Sequence, residues 1–418
     1  MQGGLKRAAV VFGVAVWLLT SGDLRAQGAK NKLHWVGSWA ASQQTPETAN
    51  LLDPELMRDG TLRQIVHLSV GGSQLRVRVS NAFGTQPLHL TAVHVARPVS
   101  AAGAAIEVGS DVAVMFNGTA DVTVPAGADY VSDPVTFSAA ALSSLAISIH
   151  FDQPPVGETG HPGSRATSYV AHGDLVSAVD MPDARKVEHW YQVSGVDVVA
   201  PEKAFAVVTL GDSITDGHGA TTNRNDRWAD VLAGRVQADK STRDLGVVNQ
   251  GIGGNRLLLD GLGPNALARF DRDVLAQTAV GAVIVLEGVN DLGTLTRDHD
   301  ASAEEHAALV KGIEGAYAQM IARGHAHGIR VIGATILPYG GSGYYHPGPE
   351  SEADRQAINA WIRDPAHFDA VVDFDQLTRD PARPDRLLPA FDSGDGLHPG
   401  PAGYKAMGDA IPLKLLNK

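Results

Sequence analysis

Apolar and polar side chains alternate along much of the stretch from about residue 60 to 151. Val66, Leu68 and Val70 alternate with His67 and Ser69; after Gly71 and Gly72, Leu75, Val77 and Val79 alternate with Arg76 and Arg78. A period of two predicts strands, and the glycine pair between two such runs predicts an antiparallel hairpin. Leu145, Ile147, Ile149 and Phe151 repeat the alternation. Clusters of Gly, Pro, Asn and Asp separate the runs as turns, so a β-sandwich is expected over residues 27–200.

Beyond about residue 200 the pattern changes. Short buried-type runs at 204–210, 281–287, 330–336 and 370–374 alternate with helical segments. One helix is predicted to begin at a capping box, Ser302 with Glu305, and to carry Leu309, Ile313, Tyr317 and Ile321 on one face before Gly328. Alternating strands and helices predict a parallel sheet covered on both faces, an α/β domain spanning 201–418, with ligands at the carboxyl ends of its strands. The junction is expected at 195–203, where the alternation stops and Pro201 breaks pairing.

Composition narrows the setting. A chain of 418 residues exceeds what one core usually organises, in keeping with two domains. Lys6 and Arg7 precede an uncharged stretch from Ala8 to Leu19 and a small-residue exit near Ala26. That is the layout of a signal peptide over 1–26, and the protein is expected to be secreted or periplasmic. Twelve uncharged residues fall short of the ~20 a membrane-spanning helix needs, so no stable membrane insertion is expected after signal removal. With no cysteine there are neither disulfides nor thiolate zinc sites. A net charge of −12 opposes nucleic acid and anionic membranes as partners and makes neutral substrates the easier fit.

Candidate chemistry gathers at the strand ends. Ser213 in "VVTLGDSITDGHG" follows an apolar run, where it serves either as a nucleophile at the start of a helix or as an ordinary helix cap. In "FDSGDGLHPGPAGY", Asp395 and His398 are three residues apart, so the carboxylate can orient the imidazole and leave its other nitrogen to face outward. Glycines in "VVNQGIGGNR" and Asn290 in "VIVLEGVNDLG" can supply donors to a developing oxyanion. Each alone has a plain structural explanation: a turn, a cap or a local hydrogen bond.

Together the four segments resemble the SGNH hydrolases, also called GDSL esterases. The resemblance rests on Gly211-Asp212-Ser213-Ile214-Thr215, Asn249 through Gly254, Gly288-Val289-Asn290-Asp291, and Asp395-Gly396-Leu397-His398. It implies a three-layer, flavodoxin-like fold. It implies Ser213 as nucleophile, His398 as base and Asp395 as its orienter. The oxyanion hole would be the Ser213 and Gly254 backbone N–H groups with Asn290, Gly253 being the rival to Gly254. This is not the G-x-S-x-G elbow, which requires glycine where Thr215 stands. The first half, through "WVGSWAASQ", "LRQIVHLSVGG" and "VRVSNAFG", looks like the leading β-domain of secreted bacterial esterases of plant-polysaccharide side chains.

Remaining residues are given quieter roles. The loops 161–169 and 344–350 have a makeup suited to lining a carbohydrate pocket, or are plain loops. Trp35, Trp39 and Trp190 are assigned to core packing ahead of sugar stacking. His325 and His327 diverge on their helix, and His299, Glu304, Glu305 and His306 lack H-E-x-x-H spacing, so no metal is predicted; no G-x-G-x-x-G or phosphate loop follows a strand, so no nucleotide cofactor is expected. The expected activity is hydrolysis of short-chain, acetyl-type esters, on small esters or acetylated polysaccharides. The alternatives are a lipase-like or arylesterase specificity, or a carbohydrate-binding protein with an inactive hydrolase scaffold.

Overall fold

Strands form where the alternation predicts them, but β2 (Gly60–Leu68) and β3 (Gly72–Ser80) do not make a hairpin. The computed structural model describes residue 1 and residues 33–416, and the expected signal peptide lies outside the described residues apart from Met1. β2 and β3 lie in different sheets. Arg63 and Gln64 of β2, on its two faces, are both buried. Arg63 is fully buried and donates to Ser148 Oγ and to the carbonyls of Ala104, Leu175 and Ala178, while Gln64 is bonded at both ends of its amide to the backbone of Tyr191. Gly71 and Gly72 carry the chain from one sheet to the other. A Cβ at Gly71 would stand 2.6 Å from the Ala139 carbonyl, and one at Gly72 would stand 2.7 Å from that of Val199.

One sheet has β1 (Leu33–Ala40) beside β7 (Val193–Pro201) beside β3; the other runs β6 (Ser168–His172), β2, β5 (Ser143–Phe151), β4 (Ala92–Ala96). Both are antiparallel. Val66 and Ile149 from one sheet and Val77 and Val198 from the other share a single apolar core. Segment 195–203, expected to be a junction, is mostly strand. β7 is paired on both sides, and Pro201 faces Leu33 at its very end, where a missing N–H is tolerated.

Only residues 202–205 separate β7 from β8 (Ala206–Gly211), the first strand of the second architecture. β8 pairs in parallel with β9 (Gly246–Gly251) and β10 (Val280–Leu286), and the sheet continues through β11 (Arg330–Ala334) to β12 (Ala370–Val372). Every residue of β8 is buried, as a parallel strand covered on both faces requires. The crossovers include α1 (Ser213–Asp216), α2 (Trp228–Ala238), α3 (Ala266–Phe270), α4 (Val289–Arg297), α5 (Ala303–Ala326) and α6 (Pro349–Arg363), with α7 (Pro401–Ala410) last. The Ser302 capping box is present: Ser302 N donates to Glu305 Oε2 at 2.7 Å and Glu305 N to Ser302 Oγ at 3.3 Å. Among the described residues no helix is long and apolar enough to cross a membrane.

From Leu33 onward the chain forms one compact unit. Gly37 N donates to Thr278 O at 3.1 Å and Val247 N to Ser69 Oγ at 2.9 Å, so β1 and the residue after β2 bond directly to the second half of the chain. Gly246 lacks a side chain where one would meet the Gly37 carbonyl at 2.0 Å.

Candidate active site

β8 ends at Gly211, where a Cβ would lie 2.1 Å from Thr215 Oγ1 and 2.6 Å from Leu286 O. The next residue, Asp212, is the helix cap: its Oδ1 accepts from Ile214 N at 2.8 Å. That leaves the Ser213 hydroxyl free of capping duty. α1 is a single turn, closed by Gly217 at φ +98°. Ser213 therefore stands at the carboxyl end of β8, a strand paired on both sides, with its backbone N–H in the first turn, which has no intrahelical partner.

Ser213 Oγ lies 2.8 Å from His398 Nε2, and His398 Nδ1 lies 2.6 Å from Asp395 Oδ2. The other oxygen of Asp395 accepts from Leu397 N at 2.9 Å and from His398 N at 2.8 Å. Partial burial raises the affinity of Asp395 for a proton, but the bonds from the His398 side chain and backbone and from Leu397 N outweigh it and hold the carboxyl well below the usual range. The loop bearing the pair is fixed by its backbone. Asp392 Oδ1 accepts from Gly394 N and Gly396 N, and Ser393 N donates to His398 O.

Asn290 enters on α4, after β10 and Gly288 at φ +109°. Its Oδ1 accepts from Tyr345 OH at 2.6 Å and its Nδ2 donates to Asn255 O at 2.7 Å, which fixes the amide and leaves one N–H to give. Gly253 and Gly254 follow β9; Gly254, at φ +72°, is the left-handed one. Ser213, Gly253, Gly254, Asn290 and His398 all line one cleft of about 690 Å³.

Beneath the cleft, fully buried Arg269 of α3 ties the blocks together. It donates to Gly211 O at 2.9 Å, Gln250 O at 2.7 Å, Asn255 Oδ1 at 2.8 Å and Glu287 Oε1 at 3.2 Å. Burial raises Asp212 to about 7 and Asp291 to about 6, and pushes Glu287 upward as well. The Asp291 carboxylate accepts from Leu257 N and Leu258 N and so holds the glycine-rich turn against α4.

Both flagged loops reach the cleft, through His161, Pro162, Gly163 and Arg165 on one wall and Tyr344 and Tyr345 on another. A neighbouring trough of about 900 Å³ shares Tyr344, Leu397 and His398 with it. The tryptophans stay away. Trp39 and Trp190 pack edge to face at 4.9 Å within the core, and Trp35 lies under Arg76. His325 pairs with Asp369 and His306 with Asp354.

Sequence reasoning missed His218, although it lies inside the quoted serine block. Its ring sits 4.1 Å from that of His398, and burial, then His398 and Arg165, lowers its proton affinity. His218, Asp395 and His398 each offer one ligand atom within 4.8 Å of the others, but both nitrogens of His398 are engaged by Ser213 and Asp395. His161 and Tyr345, each in a flagged loop, carry the contacts to Asp216 and Asn290 that composition could not reveal.

Residues 209–406 match the family described as GDSL-like lipase/acylhydrolase. Solved structures similar to the chain include a GDSL-like lipase from Bacteroides thetaiotaomicron, at 20% identity over 50% of this chain and 87% of that one, with a TM-score of 0.36. An acetyl xylan esterase from Geobacillus stearothermophilus has 20% identity over 50% and 94% of the two chains, TM-score 0.36. The acetyl xylan esterase AlAXEase has 20% over 49% and 96%, also 0.36. The chain finds no match among curated proteins.

Proposed function

We propose, from the match of residues 209–406 to the GDSL-like lipase/acylhydrolase family and its ester-cleaving hydrolase chemistry, a secreted or periplasmic serine esterase that removes short acyl groups, acetyl foremost, from plant-polysaccharide side chains. The observation that carries the reading is the unbroken chain Ser213 Oγ, His398 Nε2, His398 Nδ1, Asp395 Oδ2, with links of 2.8 and 2.6 Å.

In this reading Ser213 Oγ attacks the ester carbonyl carbon as His398 Nε2 takes its proton. Asp395 keeps the Nδ1–H pointed at itself and stabilises the imidazolium. The charge developing on the carbonyl oxygen is met by the N–H groups of Ser213 and Gly254 and by Asn290 Nδ2. His398 then gives the proton to the leaving alcohol, and the acyl group stays on Ser213. Water, deprotonated by His398, attacks this acyl-enzyme, and the acid leaves as the serine recovers its proton.

A short acyl group is supported by the lining of the cleft. Beside the reacting residues it offers glycines and polar or charged side chains, its apolar part being Pro162, Leu262, Leu397 and the rings of Tyr344 and Tyr345, a short patch rather than a tunnel for a fatty chain. This favours acetyl over a lipase-like specificity. The intact hydrogen-bonded triad disfavours an inactive carbohydrate-binding scaffold. Export is proposed on the 1–26 segment, and the leading region 27–200 is read as a module that lends its 161–165 loop to the cleft.

The test is acetate release from acetylated xylan, pectin and small chromogenic acetates. Ser213→Ala is expected to lower kcat by at least about 10³-fold. Undiminished hydrolysis by that variant would overturn the nucleophile assignment. Mass measurement of the exported protein would locate the processed N-terminus.

A further inference from the structure

The acidic net charge favours neutral substrates, yet the cleft presents cations. We infer that the preferred ester is carried on an anionic, carboxylate-bearing sugar, gripped by Arg165 and Arg256. The inference rests on the esterase reading and narrows its substrate class.

Arg165 reaches the cleft from the 161–169 loop and Arg256 from the turn after β9, so they approach the nucleophile from different walls. Arg165 is held at φ +48°, in the left-handed region that a non-glycine residue rarely adopts. The surroundings hold it there: its carbonyl accepts from Asn223 N at 2.8 Å, and neighbouring Ser164 bonds through its own carbonyl to buried Arg227. The Arg165 Nη2 lies 3.3 Å from His218 Nδ1, and the His218 ring packs on His398. Only one side chain therefore separates the guanidinium from the proposed base. Its Nε is buried without a hydrogen-bond partner. Arg256 spends one N–H on the carbonyl of Asp260. Among the described residues neither arginine forms an ion pair.

The acids of the same region take hydrogen bonds from other groups, though the second oxygen of Asp216 has no partner. Asp216 is bonded to His161, Asp395 to His398, Asp392 to the amides of Gly394 and Gly396, and Glu47 at the rim to Asn50. Arg297, also on the wall, is closed off by Asp298 at 2.9 Å. Arg165 and Arg256 thus face the ester without an ion-pair partner, while the protein as a whole stands at −12. A planar guanidinium with open N–H groups matches a carboxylate. The trough on the other side of His398 adds Arg383 and Arg386, whose contacts to Asp380 and Asp385 are long, at 3.6 and 3.7 Å. Cationic side chains on both sides of the base suit an extended anionic glycan.

The experiment compares kcat/KM of the full-length exported protein on an acetylated uronate oligosaccharide, on a neutral acetylated xylo-oligosaccharide of the same size, and on 4-nitrophenyl acetate. The uronate ester is expected to be preferred by about ten-fold at low salt, with the preference shrinking toward 0.5 M NaCl as exposed charges are screened. Arg165→Gln and Arg256→Gln should each cut that preference ratio about five-fold, and Arg165→Glu should invert it. A second measurement does not depend on turnover: Ser213→Ala should bind the de-acetylated uronate oligosaccharide in calorimetry, with affinity falling as salt rises. A wild-type ratio at or below one, or a ratio indifferent to both salt and the glutamine substitutions, overturns the inference. Absence of hydrolysis on all three esters overturns instead the esterase reading beneath it.

Discussion

His161 Nε2 and Asp216 Oδ1 meet at 2.9 Å with both side chains buried, which joins the leading β region to the one-turn helix that begins at Ser213. His161 Nδ1 faces the Ser42 carbonyl at 2.8 Å, so both ring nitrogens are presented to acceptors. The second oxygen of Asp216 has no partner, and Gly163 crowds it so closely that a Cβ there would sit at 1.7 Å. His161→Ala leaves a buried carboxylate uncompensated and is expected to destabilise the protein by about 3–5 kcal/mol. Pairing it with Asp216→Ala should recover part of that loss. A urea-denaturation cycle of the two single variants and the double one measures the coupling; a double variant whose loss equals the sum of the two single losses would show that the contact carries no such energy.

Asp395→Asn separates orientation from packing. The asparagine oxygen can still accept from Leu397 N and His398 N, as Asp395 Oδ1 does at 2.9 and 2.8 Å. Its amide nitrogen would then donate to His398 Nδ1, forcing the proton onto Nε2, where the Ser213 proton has to go. The expected result is a loss of about 10²–10⁴ in kcat with an unchanged fold. Steady-state kinetics beside circular dichroism checks it, and near-wild-type kcat would rule out the orienting role.

Asn290→Ala should lower kcat by about 10²–10³-fold while leaving KM nearly constant, because an oxyanion donor works chiefly in the transition state. Tyr345→Phe tests the support beneath it. That change removes only the 2.6 Å bond to Asn290 Oδ1 and is expected to cost about ten-fold in kcat. A KM effect in Asn290→Ala with kcat intact would assign the residue to ground-state binding instead.

Much of the second half was legible because parallel strands and capped helices advertise themselves locally. The run ending at Gly211, the Ser302 box and the Asp395-x-x-His398 spacing all carry their structure in a few adjacent residues. The leading half was less legible. The alternation predicted β2 as a strand but said nothing of Arg63 and Gln64, which point into protein on its two faces and are satisfied by carbonyls more than 40 residues away in sequence. Nothing local announces such a partner. For the same reason the Gly71-Gly72 pair read as a hairpin turn when its glycines instead allow close passage between sheets. At the site, Ser213 and His398 were visible through the blocks they occupy, whereas Arg269, His161 and Arg165 act across distant segments.

Stability should fall as pH rises from about 5 to 8, and Asp212 is one reason. Its carboxyl is raised from an ordinary 3.8 to about 7, first by burial and further by the charges of Asp291 and Asp216, against the Ile214 amide and Arg269. The folded state then holds the proton more tightly than the unfolded chain, so this contribution is complete below about pH 4 and drains away as pH passes through about 7. Asp291, raised to about 6, and Glu287, also raised, act in the same direction. Asp395 acts oppositely: held below its ordinary value, it stabilises above about pH 4 and loses that contribution only in acid. Asp212→Asn keeps an oxygen for the 2.8 Å bond from Ile214 N and removes both the titrating proton and the charge that raises Glu287. Its urea midpoint should therefore vary less between pH 5 and 8 than that of the wild type, by up to about 1.4 kcal/mol per pH unit for each proton no longer exchanged. Parallel slopes for the two proteins would mean that Asp212 is already ionised across that range.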